Sequence, residues 1–302
     1  MLSLLAETAQ FVRFEDLGLR SEISVFGLFP LRFYSLAYLL GIILGFWHLS
    51  KMIKAPGSPL AQRHSDDLFF YLTLGIILGG RLGYALFYKP ELFVTFSGEG
   101  FVTWNLLRLW DGGMSFHGGL LGVLAGIGYV CWRDKLNFLR VCDYIAPNVP
   151  LGMMLGRLAN FVNGELWGRA TDVPWAMIFP MGGEVPRHPS QLYEAVLEGA
   201  ILLVILLYMF WRTRARYRPG LLVGLFTTGI ALGRFIVEFY REPDSHLQDV
   251  VVNTGLSQGQ WLTIPLIFLG IAITVRALKR PPLGKVVTPA DDDSGEPDKT
   301  AT

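Results

Sequence analysis

The sequence predicts an all-α polytopic membrane protein: seven transmembrane helices with a small extracytoplasmic loop subdomain. Three observations carry this. Hydrophobic residues make up 52% of the 302-residue chain and charged residues only 17%, where an ordinary soluble domain has about 25% charged. Mean hydropathy is +0.41. Apolar stretches recur along the chain at about the 20 residues needed to cross the hydrocarbon core. The composition also excludes other classes. A formal net charge of +1 marks no nucleic-acid binder. Eight Trp, 11 Tyr and 34 Gly exclude a disordered, solvating chain. Two cysteines supply no disulfide framework.

The spans fall at about 31–50, 68–88, 114–132, 141–162, 191–211, 219–239 and 259–278. The fourth is the weakest helix, because Pro147 and Pro150 interrupt its early turns. Residues 1–30 are no signal peptide: Glu7, Glu15, Asp16 and Glu22 are spread through them, with no basic start leading into an apolar run. They read as an N-terminal extracytoplasmic amphipathic segment, a short helix lying on the membrane. The membrane domain covers 31–280, and 281–302 is a disordered cytoplasmic tail opening on Pro281-Pro282 and carrying Asp291-Asp292-Asp293.

Orientation follows from the basic residues. One set of loops and span ends carries Lys51, Lys54, Arg63, Arg133, Lys135, Arg140, Arg212, Arg214, Arg216, Arg218, Arg276, Lys279, Arg280 and Lys285. The other carries only Arg13, Arg20, Arg32, Lys89, Arg108, Arg169, Arg187 and Arg241. The richer side is cytoplasmic, which puts the N-terminus outside and the C-terminus inside. Trp47, Trp132 and Trp211 mark inner ends; Trp110, Trp167 and Trp261 mark outer ends. Cys131 and Cys142 fall on the cytoplasmic side and read as thiols without a catalytic part.

With this orientation, the polar residues within the membrane gather at one depth, in the outer halves of the spans. They are Arg81, His117, Arg157, Asn160, Glu194, Glu198, Arg234 and Glu238, with Asn163 and Glu165 just beyond. A charge within the bilayer costs at least about 2.5–3.5 kcal/mol, so such a cluster is a functional site by default. Plainer readings stand beside this one. Arg234 and Glu238 are i,i+4 and can pair on one helix face. Arg81 can snorkel to the headgroups. A lone histidine such as His117 is more often structural. Glu194 and Glu198 can serve only to neutralise the arginines. Gly118, Gly119, Gly122 and Gly126 read most simply as a close helix-packing surface.

Guanidinium stays charged and makes forked hydrogen bonds to phosphate oxygens. The commonest phosphate at this depth is a phospholipid headgroup, so the arginines point to a lipid held between helices. A carrier would show broken helices about a midplane site, often in paired repeats. Here the polar groups lie off-centre, which favours chemistry on a headgroup over transport. A phospholipid carrier and a structural protein whose charges only lock helices together remain as rival classes. The five histidines show no metal-ligand spacing, and no nucleotide-binding loop is present. No cofactor is expected.

Four stretches carry a resemblance. The run Gly156-Arg157-Leu158-Ala159-Asn160-Phe161-Val162-Asn163-Gly164-Glu165-Leu166-Trp167-Gly168 resembles the signature of bacterial prolipoprotein diacylglyceryl transferases. Asp111–Gly119, Arg187–Glu194 and Gly233–Asp244 agree with the same family. The resemblance covers about residues 20–280 in order. It implies seven spans with the N-terminus outside, in a bacterial inner membrane. It implies that the essential arginines are Arg157 and Arg234 and the essential histidine His117. Asn160, Glu165, Gly168, Glu238 and Arg241 fall on further functional positions, and Tyr34 on an N-terminal tyrosine of the family. Two departures stand out. Phe33 and Ser35 flank Tyr34 in place of Trp and Gly, and Ile230 stands where many members carry Tyr.

The implied reaction moves the diacylglyceryl group of phosphatidylglycerol to the lipobox cysteine of a prolipoprotein signal peptide, forming a thioether and releasing glycerol phosphate. The lipid bilayer supplies the donor, and no nucleic acid takes part. The leaving phosphate gains charge as its C–O bond breaks, which suits cations at Arg157 and Arg234. The nucleophile is a thiolate, and a free cysteine has a pKa of about 8.5. Either His117 takes the thiol proton, or the arginines depress the thiol pKa with no base. Glu238 orients Arg234, and Asn160 with Glu165 supports Arg157. Segment 164–190, with the extended-looking run 173–179, reads as a lid over the outer mouth or as an ordinary loop with one strand.

Overall fold

The computed structural model describes residues 11–19, 22–25, 29–92, 106, 108, 113–242 and 254–283. Most of them are helical. The helices are α1 (Phe33–Met52), α2 (Gln62–Phe87), α3 (Phe116–Arg133), α4 (Phe138–Ile145), α5 (Val149–Val162), α6 (Ser190–Arg212), α7 (Leu221–Val237) and α8 (Gln258–Lys279). All seven expected ranges fall on helical segments. By length and apolar composition, α1, α2, α6 and α8 qualify as membrane spans, and α7 is a shorter apolar helix. Large apolar side chains are exposed along them, among them Leu39, Ile43, Phe69, Phe70, Val204, Tyr208 and Phe268. Exposed apolar surface of that extent marks a lipid-facing wall.

The amphipathic helix expected within 1–30 is not found among the described residues. Val12–Arg13 (β1), Glu22–Val25 (β2) and Phe29–Arg32 (β3) are strands, with a 3-10 turn at Phe14–Leu17. β2 and β3 pair antiparallel with Glu22 opposite Arg32. The reasons are local. Val12, Ile23 and Val25 are β-branched and suit strands. Pro30 offers no N–H to a helix. Gly18 takes the left-handed conformation at φ 63° that closes the 3-10 turn. The expectation of a disordered tail falls almost wholly outside the described residues.

The described residues divide into two compact units, one within 11–48 and 143–282 and the other within 49–142. In the second unit, α2 and α3 pack through glycine. A Cβ on Gly83 would stand 2.7 Å from the Gly118 Cα, and one on Gly79 3.0 Å from the Gly122 Cα. Only hydrogen fits between these backbones, the small-residue packing that drives helix association in lipid. Ser115 caps α3, accepting from the Gly118 N–H at 3.3 Å. Arg133 closes the other end on Asp67 and Asp134. Cys131 and Cys142 are buried and remain thiols.

In the first unit, the two prolines act as the sequence implies. α4 ends at Ile145, Pro147 sits in a 3-10 turn at Ala146–Asn148, and α5 starts anew with Pro150 in its first turn. The break places Asp143 where its carboxylate caps a distant helix. It accepts from the Gly220 N–H at 2.6 Å and the Val223 N–H at 2.9 Å at the start of α7, while only 1% exposed. α7 and α8 approach closely through small residues, Gly224 and Thr228 against Gly270 and Thr274. Ser257 and Gln260 form a capping box that starts α8. Arg218 closes α8 by donating to the carbonyls of Leu278 at 2.9 Å and Arg280 at 2.8 Å.

Asp143→Ala strands one buried and one part-buried N–H donor. It is expected to lower stability by about 2 kcal/mol, read as a lower Tm of the detergent-purified protein. Asp143→Asn, which keeps one acceptor oxygen, is expected to lose less.

Candidate active site

Four segments of the first unit converge on one carboxylate. Arg157 comes from α5, Glu194 from the first turns of α6, Arg234 and Glu238 from the end of α7, and Arg241 from the segment that follows. Glu194 is 1% exposed. Its Oε2 lies 3.2 Å from Arg157 Nε, and its Oε1 lies 2.5 Å from Arg234 Nη1 and 3.9 Å from Arg241 Nη1. Arg234 Nη2 also pairs with Glu238 at 3.0 Å, the i,i+4 pair that the spacing allowed. Three guanidiniums are thus met by two carboxylates within ion-pair distance. Partnered this way, buried charges are tolerated; isolated, each would cost several kcal/mol.

A turn of strained backbone flanks the cluster. Leu166 has φ 60°, rare for a residue with a side chain. Two buried side chains hold it: Ser190 Oγ donates to the Leu166 carbonyl at 3.1 Å, and Gln191 Nε2 to the Glu165 carbonyl at 2.6 Å. The Glu165 side chain accepts from Asn160 and Asn163, both at 3.0 Å. Gly168 bridges to Arg241 in antiparallel fashion. A Cβ there would stand 2.8 Å from His188 Cβ and 2.9 Å from its carbonyl oxygen. Only glycine lets the three segments around 168, 188 and 241 meet, and that meeting brings Arg241 to Glu194.

The loop 164–190 carries one short strand, β4 (Met177–Ile178), which pairs in parallel with β1. Phe14, Met177 and Phe179 form a small core beneath it, with Phe161 and Trp167 packed alongside. Arg13 and Glu184 add an exposed ion pair. Next to this core lies an aromatic group. The Tyr193 hydroxyl accepts from Trp175 Nε1 at 2.7 Å and stands 3.1 Å from His188 Nδ1, with Tyr240 edge-on to both rings. Burial pushes the His188 imidazole below its ordinary pKa.

The remaining residues named from sequence make other contacts. The Tyr34 hydroxyl stands 3.1 Å from that of Tyr38, and among the described residues no hydrogen bond or ion pair joins it to the arginines. Arg157 pairs with Glu194, while Asn160 pairs with Glu165. His117 is the second residue of α3 in the other unit, exposed and edge-on to the Phe116 ring. Arg81 is in that unit too. At 4% exposed, it donates to the carbonyls of Leu106 at 2.9 Å and Gly113 at 3.3 Å, so it braces a loop instead of snorkelling. The hub, Glu194, was legible only as a neutraliser. Its depth and its place beside Tyr193 were in the sequence; that three arginines share it was not.

Residues 22–276 match the family described as prolipoprotein diacylglyceryl transferase. The chain belongs to this family. It is 60% identical over 283 residues to a phosphatidylglycerol–prolipoprotein diacylglyceryl transferase of Erythrobacter litoralis, covering 93% of this chain and 98% of the relative. Proteins of the same name from Zymomonas mobilis and Idiomarina loihiensis are 46% and 47% identical, over 89% and 86% of this chain and 94% and 93% of theirs. The arginine cluster therefore sits in a chain whose relatives carry the name of a lipid-to-protein transferase.

Glu194→Ala leaves the arginines facing one another and is expected to cost about 3–5 kcal/mol of stability, measured by thermal unfolding in detergent. The depressed pKa of His188 gives a second expectation. Around pH 6 the unfolded chain takes up a proton that the folded one does not, so stability falls as pH drops below about 6.5. An NMR titration of the His188 ring should show a midpoint below that value.

Proposed function

We infer that the chain is an enzyme transferring the diacylglyceryl group of phosphatidylglycerol to the lipobox cysteine of prolipoprotein signal peptides, with formation of a thioether and release of glycerol phosphate. One observation carries this reading: a cluster of three arginines sharing one buried carboxylate, in a chain of the diacylglyceryl transferase family. The chain crosses a bacterial inner membrane seven times, with α4 and α5 together making the fourth crossing. The N-terminus lies outside and the C-terminus in the cytoplasm. Segment 164–190 forms the extracytoplasmic subdomain, and the arginines lie at the depth of the outer headgroups.

The lipid phosphate lies on Arg157 and Arg234, and Arg241 adds positive potential from the side. The cysteine sulfur attacks the glycerol carbon of the donor. The C–S bond forms, the C–O bond to phosphate breaks, and the electron pair stays on the phosphate oxygen. Cations preplaced there need no reorganisation as that charge grows, and this lowers the barrier. His117 accepts the thiol proton as general base. Glu238 orients Arg234, Asn160 and Glu165 shape the turn after Arg157, and Gly168 holds the backbone of Arg241. Tyr34 belongs to the lipid-binding surface at the start of α1.

The test is a transfer assay with purified protein, phosphatidylglycerol and a lipobox peptide, read by mass spectrometry. A diacylglyceryl mass gain is expected, and none on a Cys→Ser peptide. Arg157→Ala and Arg234→Ala are each expected to lower kcat/KM about 10²–10³-fold, and His117→Gln about 10²-fold or more. Full activity in His117→Gln would assign thiol activation to the arginines alone. Lipid translocation without a covalent product would replace the transferase with a carrier.

A further inference from the structure

Glu198 is a buried carboxylate that the reaction above does not use. It is 2% exposed, and its Oε1 has no hydrogen-bond partner among the described residues. It lies one turn beyond Glu194, where Ala195–Ile201 winds as a π-helix. Such widened turns are rare and recur at functional sites. The turn is wedged between the two helices that carry the arginines. A Cβ on Gly199 would stand 2.9 Å from the Met154 Cα on α5, and one on Gly233, the residue before Arg234, 3.2 Å from the Glu198 Cγ. An orphaned carboxylate oxygen in such a place destabilises the protein, and a cost of that kind persists where function requires it.

The geometry of Glu194 supplies the requirement. Both of its oxygens are engaged by guanidiniums, and both terminal nitrogens of Arg234 are engaged by carboxylates. A phosphate arriving on these arginines competes with Glu194 for the same donors, and two anions repel at that range. Among the described residues Arg157 is held only at Nε, so its terminal nitrogens are open to a phosphate, whereas a phosphate that also takes Arg234 draws donors from Glu194 or Glu238.

We propose that Glu198 is a positioning residue for the phosphate-bound state: its open acceptor oxygen takes the guanidinium hydrogen bonds that Glu194 gives up. The cluster then has two arrangements, one centred on Glu194 without ligand and one shared with Glu198 when phosphate is bound. This rests on the reading of the cluster as a phosphate site. Glu198 touches no reacting atom in this scheme. It stabilises the ligated ground state and the transition state alike, so its loss appears in KM and not in kcat.

The experiment compares wild type with Glu198→Met, Glu198→Gln and Glu198→Asp in detergent, following transfer from phosphatidylglycerol to a lipobox peptide and the Tm of each protein. Methionine removes charge and acceptors while filling similar volume. It is expected to raise KM for phosphatidylglycerol about tenfold, the effect of one lost charge-assisted hydrogen bond, with kcat within about twofold and Tm unchanged or higher. Glutamine keeps one acceptor and should fall between, and aspartate should recover part of the loss. A purely structural Glu198 predicts the reverse: lower Tm with unchanged KM. Wild-type KM in Glu198→Met, or failure of both Glu198→Met and Glu198→Gln to fold, would overturn the proposal. Absence of transfer by the wild type would overturn the reaction itself and the inference with it, whereas transfer by wild type and variants alike would overturn only the inference.

Discussion

The sharing of the Glu194 carboxylate by Arg157, Arg234 and Arg241 is the interaction on which the first unit depends. Like charges at this spacing repel strongly in a medium of low dielectric. Without an anion among them, three guanidiniums do not stay together at one point. Glu194 makes their convergence possible and ties α5, α6, α7 and the segment after α7 to one point. The site and the packing of these helices are therefore the same object, held by the same charges.

The supports around that point are of another kind. Pro147 and Pro150 end one helix and start another, which frees Asp143 to cap α7. The capped helix carries Arg234 at its far end, where the C-terminal dipole favours a cation. Gly168 lets three backbone segments meet where any side chain would hold them apart. Ser190 and Gln191 hold the strained turn at Leu166 from the first residues of the helix that supplies Glu194.

The proposed chemistry follows from this division of labour. A phosphodiester that becomes a phosphate monoester gains charge during the reaction. Arginines fixed in advance answer that gain at once, because they already stand together. Fixing them requires carboxylates, and carboxylates compete with the phosphate. A second acceptor at Glu198 relieves this conflict by giving displaced donors somewhere to go, at the cost of an unsatisfied atom when no ligand is bound.

Much of this was legible in the sequence. Hydropathy placed seven ranges that all fall on helical segments, four of them on helices long and apolar enough to span a membrane, because a lipid-facing helix needs a predominantly apolar stretch. The prolines at 147 and 150 announced the break in the fourth helix, and Gly118 and Gly122 their close packing. The motif around Arg157 carried the family, and depth in the membrane singled out Arg157, Glu194, Arg234 and Glu238, which do meet, together with Arg81, which instead bonds to loop carbonyls. Tertiary structure decided the rest. That Glu194 is the hub, that Arg81 braces a loop, that the N-terminal stretch forms strands and that Glu198 keeps an open oxygen all depend on which atoms meet across segments far apart in the chain. Periodicity and hydropathy report the environment of each residue along its own helix. They are silent on the partner that a side chain finds on another one, because pairing is settled by packing distances of a few tenths of an ångström that no local pattern encodes.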